Sequence, residues 1–218
     1  MARVANTLTP LKNSIVLLAF ILVVWGFYRN LVQLPEVVDE LVSKPVIWLG
    51  ATYYLMRKEG ASWDSLGITN KNLYKAIYFA LILAIVFALE GFAVNYFKHE
   101  GFNFGVEIGV ADFYMAIGLS FITAVTEELT FRGYIFSRVW RYTKNAWLTN
   151  LVVSVGWVLV HVPIAVFVWT LAPTGIASYG LLVFIFSLGA GLVYQKSGNI
   201  LSPILLHVFW QWPIILFR

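Results

Sequence analysis

Six side chains able to do chemistry lie inside otherwise apolar stretches of this 218-residue chain: Glu127, Glu128, Arg132, His161, His207 and Gln211. Moving one such charge to the middle of a bilayer costs about 2.5–3.5 kcal/mol even on lenient insertion scales. Three unpaired charges in one segment would cancel much of a helix's insertion energy, so these are paired, hydrated or used. Carboxylates and imidazoles move protons, and an amide donates hydrogen bonds. Ionisable groups at membrane depth mark substrate paths, proton relays and reaction centres.

Helical spacing assigns their faces. Glu128 and Arg132 are four apart and stack as an intrahelical ion pair. Glu127 is turned about 100° from Glu128, free of that pair and directed into a cavity. His207 and Gln211 share a face, as do Trp157 and His161. A free carboxylate, two imidazoles and an amide can thus converge between three helices. Taken singly, each has a plainer role. Glu128–Arg132 is a structural pair, a lone membrane histidine is a packing residue, and Glu90 at a span end snorkels or pairs. The aromatics are core and interface belts.

Depth unites the motifs. At the rise of an α-helix, Glu127 lies about 16 Å from Arg138, His161 about 20 Å from the start of its span, and His207 about 16 Å from Lys196. Two of the three histidines therefore share a level with the carboxylates; His99 lies in a loop.

The elements that must position them are membrane helices. The chain is 60% hydrophobic, 17% aromatic and only 12% charged, with a mean hydropathy of +0.79. A soluble domain carries about 25% charged residues, so the fold class is an all-α polytopic membrane bundle. The absence of cysteine excludes disulfides, thiolate metal sites and cysteine nucleophiles. The net charge of +4 reads as juxtamembrane Lys and Arg rather than as a nucleic-acid surface.

Seven apolar stretches occur in order, near 14–28, 37–56, 73–97, 112–139, 147–170, 176–194 and 200–217. The first lacks a small-x-small cleavage site and is an uncleaved span. The second is the weakest, because Asp39, Glu40 and Lys44 crowd its first half; 37–42 reads as an interfacial turn feeding a shorter or tilted helix. Trp63–Ile68 reads as an amphipathic surface segment and 98–110 as a loop. With no internal repeat, one membrane domain covers 1–218. Ten Lys and Arg fall on the N-terminal side of the alternation. Only Arg29, Lys44, Lys98 and Arg218 fall opposite, with Glu36, Asp39, Glu40, Glu100, Glu107 and Asp112 at that boundary. This places the N-terminus in the cytoplasm.

Glu127-Glu128-x-x-x-Arg132, then Trp157-x-x-x-His161, then His207-x-x-x-Gln211, on successive helices, resembles the CAAX-protease and bacteriocin-processing (Abi, CPBP) family of intramembrane endopeptidases. The approach Ser197–His207 and the segment Trp63–Ile68 are similar to that family too, and the likeness covers about Asp112 to Gln211. The family usually has Phe where Trp157 stands and Asn or Asp where Gln211 stands; Gln keeps the amide donor one methylene further out.

The resemblance implies hydrolysis of a peptide bond in a membrane-anchored protein or peptide, in the plasma membrane of a prokaryote. Glu127 would be the general base, with His161 holding the water. His207 and Gln211 would stabilise the oxyanion, and Glu128, Arg132 and Trp157 would support them. It implies a hydrated cavity opening to the cytoplasmic half or sideways to lipid. No cofactor is required in this reading, although His161, His207 and Glu127 would make a three-ligand zinc set with an open position. A proton-coupled transporter and a non-catalytic scaffold or immunity factor are the alternatives.

Overall fold

The computed structural model describes residues 8–32, 34–102 and 111–216, with side chains over the same ranges except 98, 111–113 and 213–216. Most of the expected 98–110 loop lies outside the described residues, as do Arg3, Glu107, Arg218 and the side chain of Asp112. Among the described residues the helical segments join into seven columns, and no strand occurs. They are α1 (Leu8–Leu31), α2 (36–59), α3 (Leu73–His99), α4 (111–143), α5 (Ala146–Val168), α6 (Pro173–Ser197) and α7 (Leu201–Leu216). The architecture is an all-α membrane bundle, as the composition predicts.

Helix ends reflect local chemistry. Asn145 caps α5 by accepting from the Leu148 N–H, and Pro173 sits in the first turn of α6, where no backbone donor is needed. Gly60 and Gly198 end α2 and α6 with φ of 63° and 64°, a left-handed conformation that costs glycine little. Columns α1, α2, α4 and α5 each contain a π-helical turn: Ile21–Trp25, Asp39–Ser43, Leu129–Phe136 and Ile164–Val168. Such turns rotate the remainder of the helix about its axis and recur near functional sites. The expected interfacial turn at 37–42 is not found. α2 is continuous from 36 to 59, and the π turn carries Asp39 and Glu40 inward rather than out to a membrane surface.

The columns alternate in direction, because the 60–72 connection, the α4–α5 turn and the α6–α7 turn meet at one end. There Asn199 donates to Thr69 O and Lys71 O (2.8 Å each), Asn72 to Ser197 O (3.1 Å), and Arg138 to Ser65 O (3.1 Å). Asn13, near the start of α1, donates to Glu59 at 2.9 Å. The Trp63–Leu66 turn belongs only partly to the surface. Trp63 is exposed, but Leu66 is buried against Gly133, where a Cβ would come within 3.1 Å of the Leu66 backbone.

Among the described residues four columns, α1, α3, α5 and α6, are long and apolar enough to cross a membrane. Their large outward side chains, such as Ile15, Phe27, Ile85, Leu89 and Leu181, form an apolar exterior suited to lipid. Against these α4 is the inner element: every residue from Thr130 to Phe136 is buried. The column that carries Glu127, Glu128 and Arg132 thus has them buried inside the bundle, where neighbouring helices rather than lipid surround them.

Candidate active site

Glu127 and Glu128 sit at the junction where α4 passes from its α-helical to its π-helical part. Glu128 is wholly buried, and its Oε1 accepts from Arg132 Nη1 at 3.0 Å, the i,i+4 pair that the spacing predicts. Arg132 also donates through Nη2 to Ser187 Oγ (2.7 Å) and Ser187 O (3.1 Å) on α6. Its guanidinium lies 4.2 Å from the Trp157 ring centroid, in cation–π contact. The same Glu128 Oε1 takes a second donor, His207 Nδ1 of α7, at 2.9 Å. Glu128 Oε2 is buried without a partner in the chain.

The two histidines flank Trp157, whose ring centroid is 5.1 Å from that of His161 and 5.8 Å from that of His207. His161 Nδ1 donates to Trp157 O at 2.8 Å, which leaves its Nε2 lone pair unengaged by that bond. His207, fixed through Nδ1 by Glu128, meets the Gln211 amide nitrogen at Nε2, 3.2 Å away. Gln211 and His207 are therefore engaged with each other in this state. Phe186 packs on the His207 ring at 4.8 Å. Glu90 is hydrogen-bonded with Trp210, whose ring stacks on Phe186 at 4.4 Å.

Glu127 is where structure and sequence reading part. It is not free: Oε1 accepts from Lys44 Nζ at 2.9 Å, and the residue is 4% exposed. Lys44 also donates to both oxygens of Glu40, at 2.7 and 2.6 Å, and Thr123 of α4 donates to Glu40 Oε2. Lys44 is buried and so is not a loop charge; it leaves the outer side of the charge asymmetry. Asp39 is also interior, bound by Tyr28 (2.6 Å) and paired with Arg29. The signal was present in the sequence, because Glu40 and Lys44 repeat the four-residue acid–base spacing of Glu128 and Arg132. Read as an obstacle to crossing, it concealed a wall of the site. The edge of the site that remains partly exposed is His161 and Gln211.

The zinc set does not form. Among the described residues no three His, Asp or Glu side chains are gathered as a metal requires. The His207 ring is engaged at both nitrogens, by Glu128 and by Gln211, and Glu127 is bound to an ammonium. A zinc ligand needs an unshared lone pair directed at the ion, and in this state Gln211 occupies the one that His207 Nε2 would offer.

Residues 109–213, just under half of the chain, match the family model described as type II CAAX prenyl endopeptidase Rce1-like. No curated protein and no solved structure matches the chain. The matched range contains every carboxylate, imidazole and amide named by the sequence motifs, whereas Glu40 and Lys44 lie outside it.

Proposed function

Taking this CAAX-protease core as premise, we propose that the protein is an intramembrane endopeptidase whose general base is Glu127. The observation that carries the reading is that both imidazoles flank the Trp157 ring, with one of them tied to Glu128, the neighbour of Glu127.

Glu127 and His161 hold a water between them, the imidazole through its Nε2 lone pair. As the water oxygen attacks the scissile carbonyl carbon, Glu127 takes its proton. The carbonyl oxygen becomes an oxyanion. The Gln211 amide turns from His207 to donate to it, and His207, when it carries a second proton at Nε2, donates beside it. Donors in a water-poor site stabilise that charge far better than water does. Glu128 holds His207 through Nδ1, and Arg132 neutralises Glu128. The C–N bond then breaks, and the proton on Glu127 passes to the leaving amine, giving an acid and an amine.

The substrate is a membrane-anchored protein or peptide, and a prenylated peptide ending in a CAAX sequence is the first probe. Purified protein in lipid nanodiscs is expected to cleave it near its C-terminus, whereas Glu127→Gln and His161→Ala variants, folded as the parent, do not. In cells, comparing the parent with Glu127→Gln should reveal membrane-anchored termini that change. Cleavage by Glu127→Gln at the parental rate overturns the reading.

A further inference from the structure

We infer that Lys44 is a positioning residue for Glu127, and that α2, outside the family-matched core, thereby supplies part of the catalytic machinery. The inference rests on the assignment of Glu127 as the base.

The geometry is a four-residue clasp between two helices. On α2, Glu40 and Lys44 are one turn apart; on α4, Thr123 and Glu127 are one turn apart. Thr123 donates to Glu40 Oε2, and Lys44 donates to Glu127 Oε1 at 2.9 Å. Lys44 also closes on both oxygens of its own helix's Glu40. Two contacts one turn apart fix both the separation and the rotation of the two helices at that level. The Glu127 side chain is then held by one oxygen, and its other oxygen is left for the water.

Two features decide between positioning and substrate capture. An ammonium has three hydrogens, and Lys44 Nζ has three carboxylate oxygens within 2.9 Å, so none remains for a peptide. The ammonium is also buried, 5.6 and 5.9 Å from the Trp25 and Trp48 ring centroids, which close it in.

Charge gives the second argument. Glu127 and Glu128 are adjacent buried acids, and each has its own cation: Arg132 from the same helix, Lys44 from another. A lysine devoted wholly to Glu127 would blunt it as a base. Glu40 takes two of the three hydrogens, at shorter distance, and moderates that hold. Glu40 and Lys44 thus act as a unit: orientation with limited neutralisation.

The test compares kcat and KM, on the prenylated CAAX peptide in nanodiscs, for Lys44→Met/Glu40→Gln, Lys44→Arg, Glu40→Gln and Glu127→Gln. The double variant removes the clasp without leaving an unmatched ammonium on α2. Its kcat is expected to fall about 10²-fold, the scale of a misaimed catalytic group, with KM little changed. Lys44→Arg, which keeps the charge, should retain more of kcat than the double variant does. An unchanged kcat in the double variant, with Glu127→Gln inactive, overturns the inference alone. A rise in KM without loss of kcat also overturns it, because the lysine would then bind substrate. Full activity of Glu127→Gln overturns the base assignment, and the inference with it. If the double variant does not fold, Glu40→Gln decides. It leaves Lys44 to hold Glu127 alone and should lower kcat; an unchanged kcat there sinks the inference.

Discussion

His207 donates its Nδ1 hydrogen to Glu128 Oε1 at 2.9 Å, joining α7 to α4 across 79 residues of sequence. That oxygen also holds Arg132, so the second acid of the pair is a structural hub whereas the first has a different circuit. The two adjacent glutamates should therefore fail differently when neutralised.

Glu128→Gln leaves the buried Arg132 guanidinium without its anion. Loss of one partner of a buried pair costs about 3–5 kcal/mol, and thermal unfolding in nanodiscs should show a marked drop in Tm. Glu127→Gln leaves Lys44 still bound by both Glu40 oxygens. It should cost about 1 kcal/mol, the scale of one hydrogen bond, while abolishing cleavage. Equal losses of Tm in the two variants would contradict this division.

Arg132→Lys is not a conservative change here. The guanidinium contacts Glu128, Ser187 Oγ, Ser187 O and the Trp157 face together, and a point ammonium cannot reproduce that fork. The expected loss of stability is about 1–3 kcal/mol from buried acceptors left unpaired. A Tm equal to the parent's would show that the extra contacts are dispensable.

Gln211→Leu removes the amide while keeping bulk. If Gln211 reaches the oxyanion, kcat should fall about 10²–10³-fold, as when an oxyanion donor is removed elsewhere, with KM less affected. Steady-state kinetics on the same peptide measures this, and a change confined to KM would assign Gln211 to binding.

The donor arrangement predicts that chelators leave cleavage intact, because His207 is engaged at both ring nitrogens and Glu127 by Lys44. Metal analysis of the purified protein and activity after prolonged chelation check this. Stoichiometric zinc with chelator-sensitive cleavage would contradict it.

Gly191 lets α6 approach α5 closely: a Cβ there would overlap the Asn150 amide, which donates to Leu188 O at 2.9 Å. Gly191→Ala should cost about 1–3 kcal/mol through overpacking, read as a lower Tm. An unaffected Tm would mean that the helices can part at this level without loss.

The sequence by itself determined what depends on composition and on short range along a helix. Low charge and long apolar runs required a membrane bundle. The 3.6-residue repeat placed Arg132 under Glu128, His161 under Trp157 and Gln211 beside His207, and each pair is in contact in the fold. The core motifs were legible for the same reason, since their spacing is local. Contacts across helices were decided only by the tertiary structure. The rotation of one column against another is set by packing and by π turns that shift the register, as Asp39–Ser43 does immediately before Lys44. Glu40 and Lys44, read along the chain, are charges that make a poor membrane span. Folded against Thr123 and Glu127, they neutralise and orient an acid 83 residues away, because buried charges find their partners in space and not in sequence.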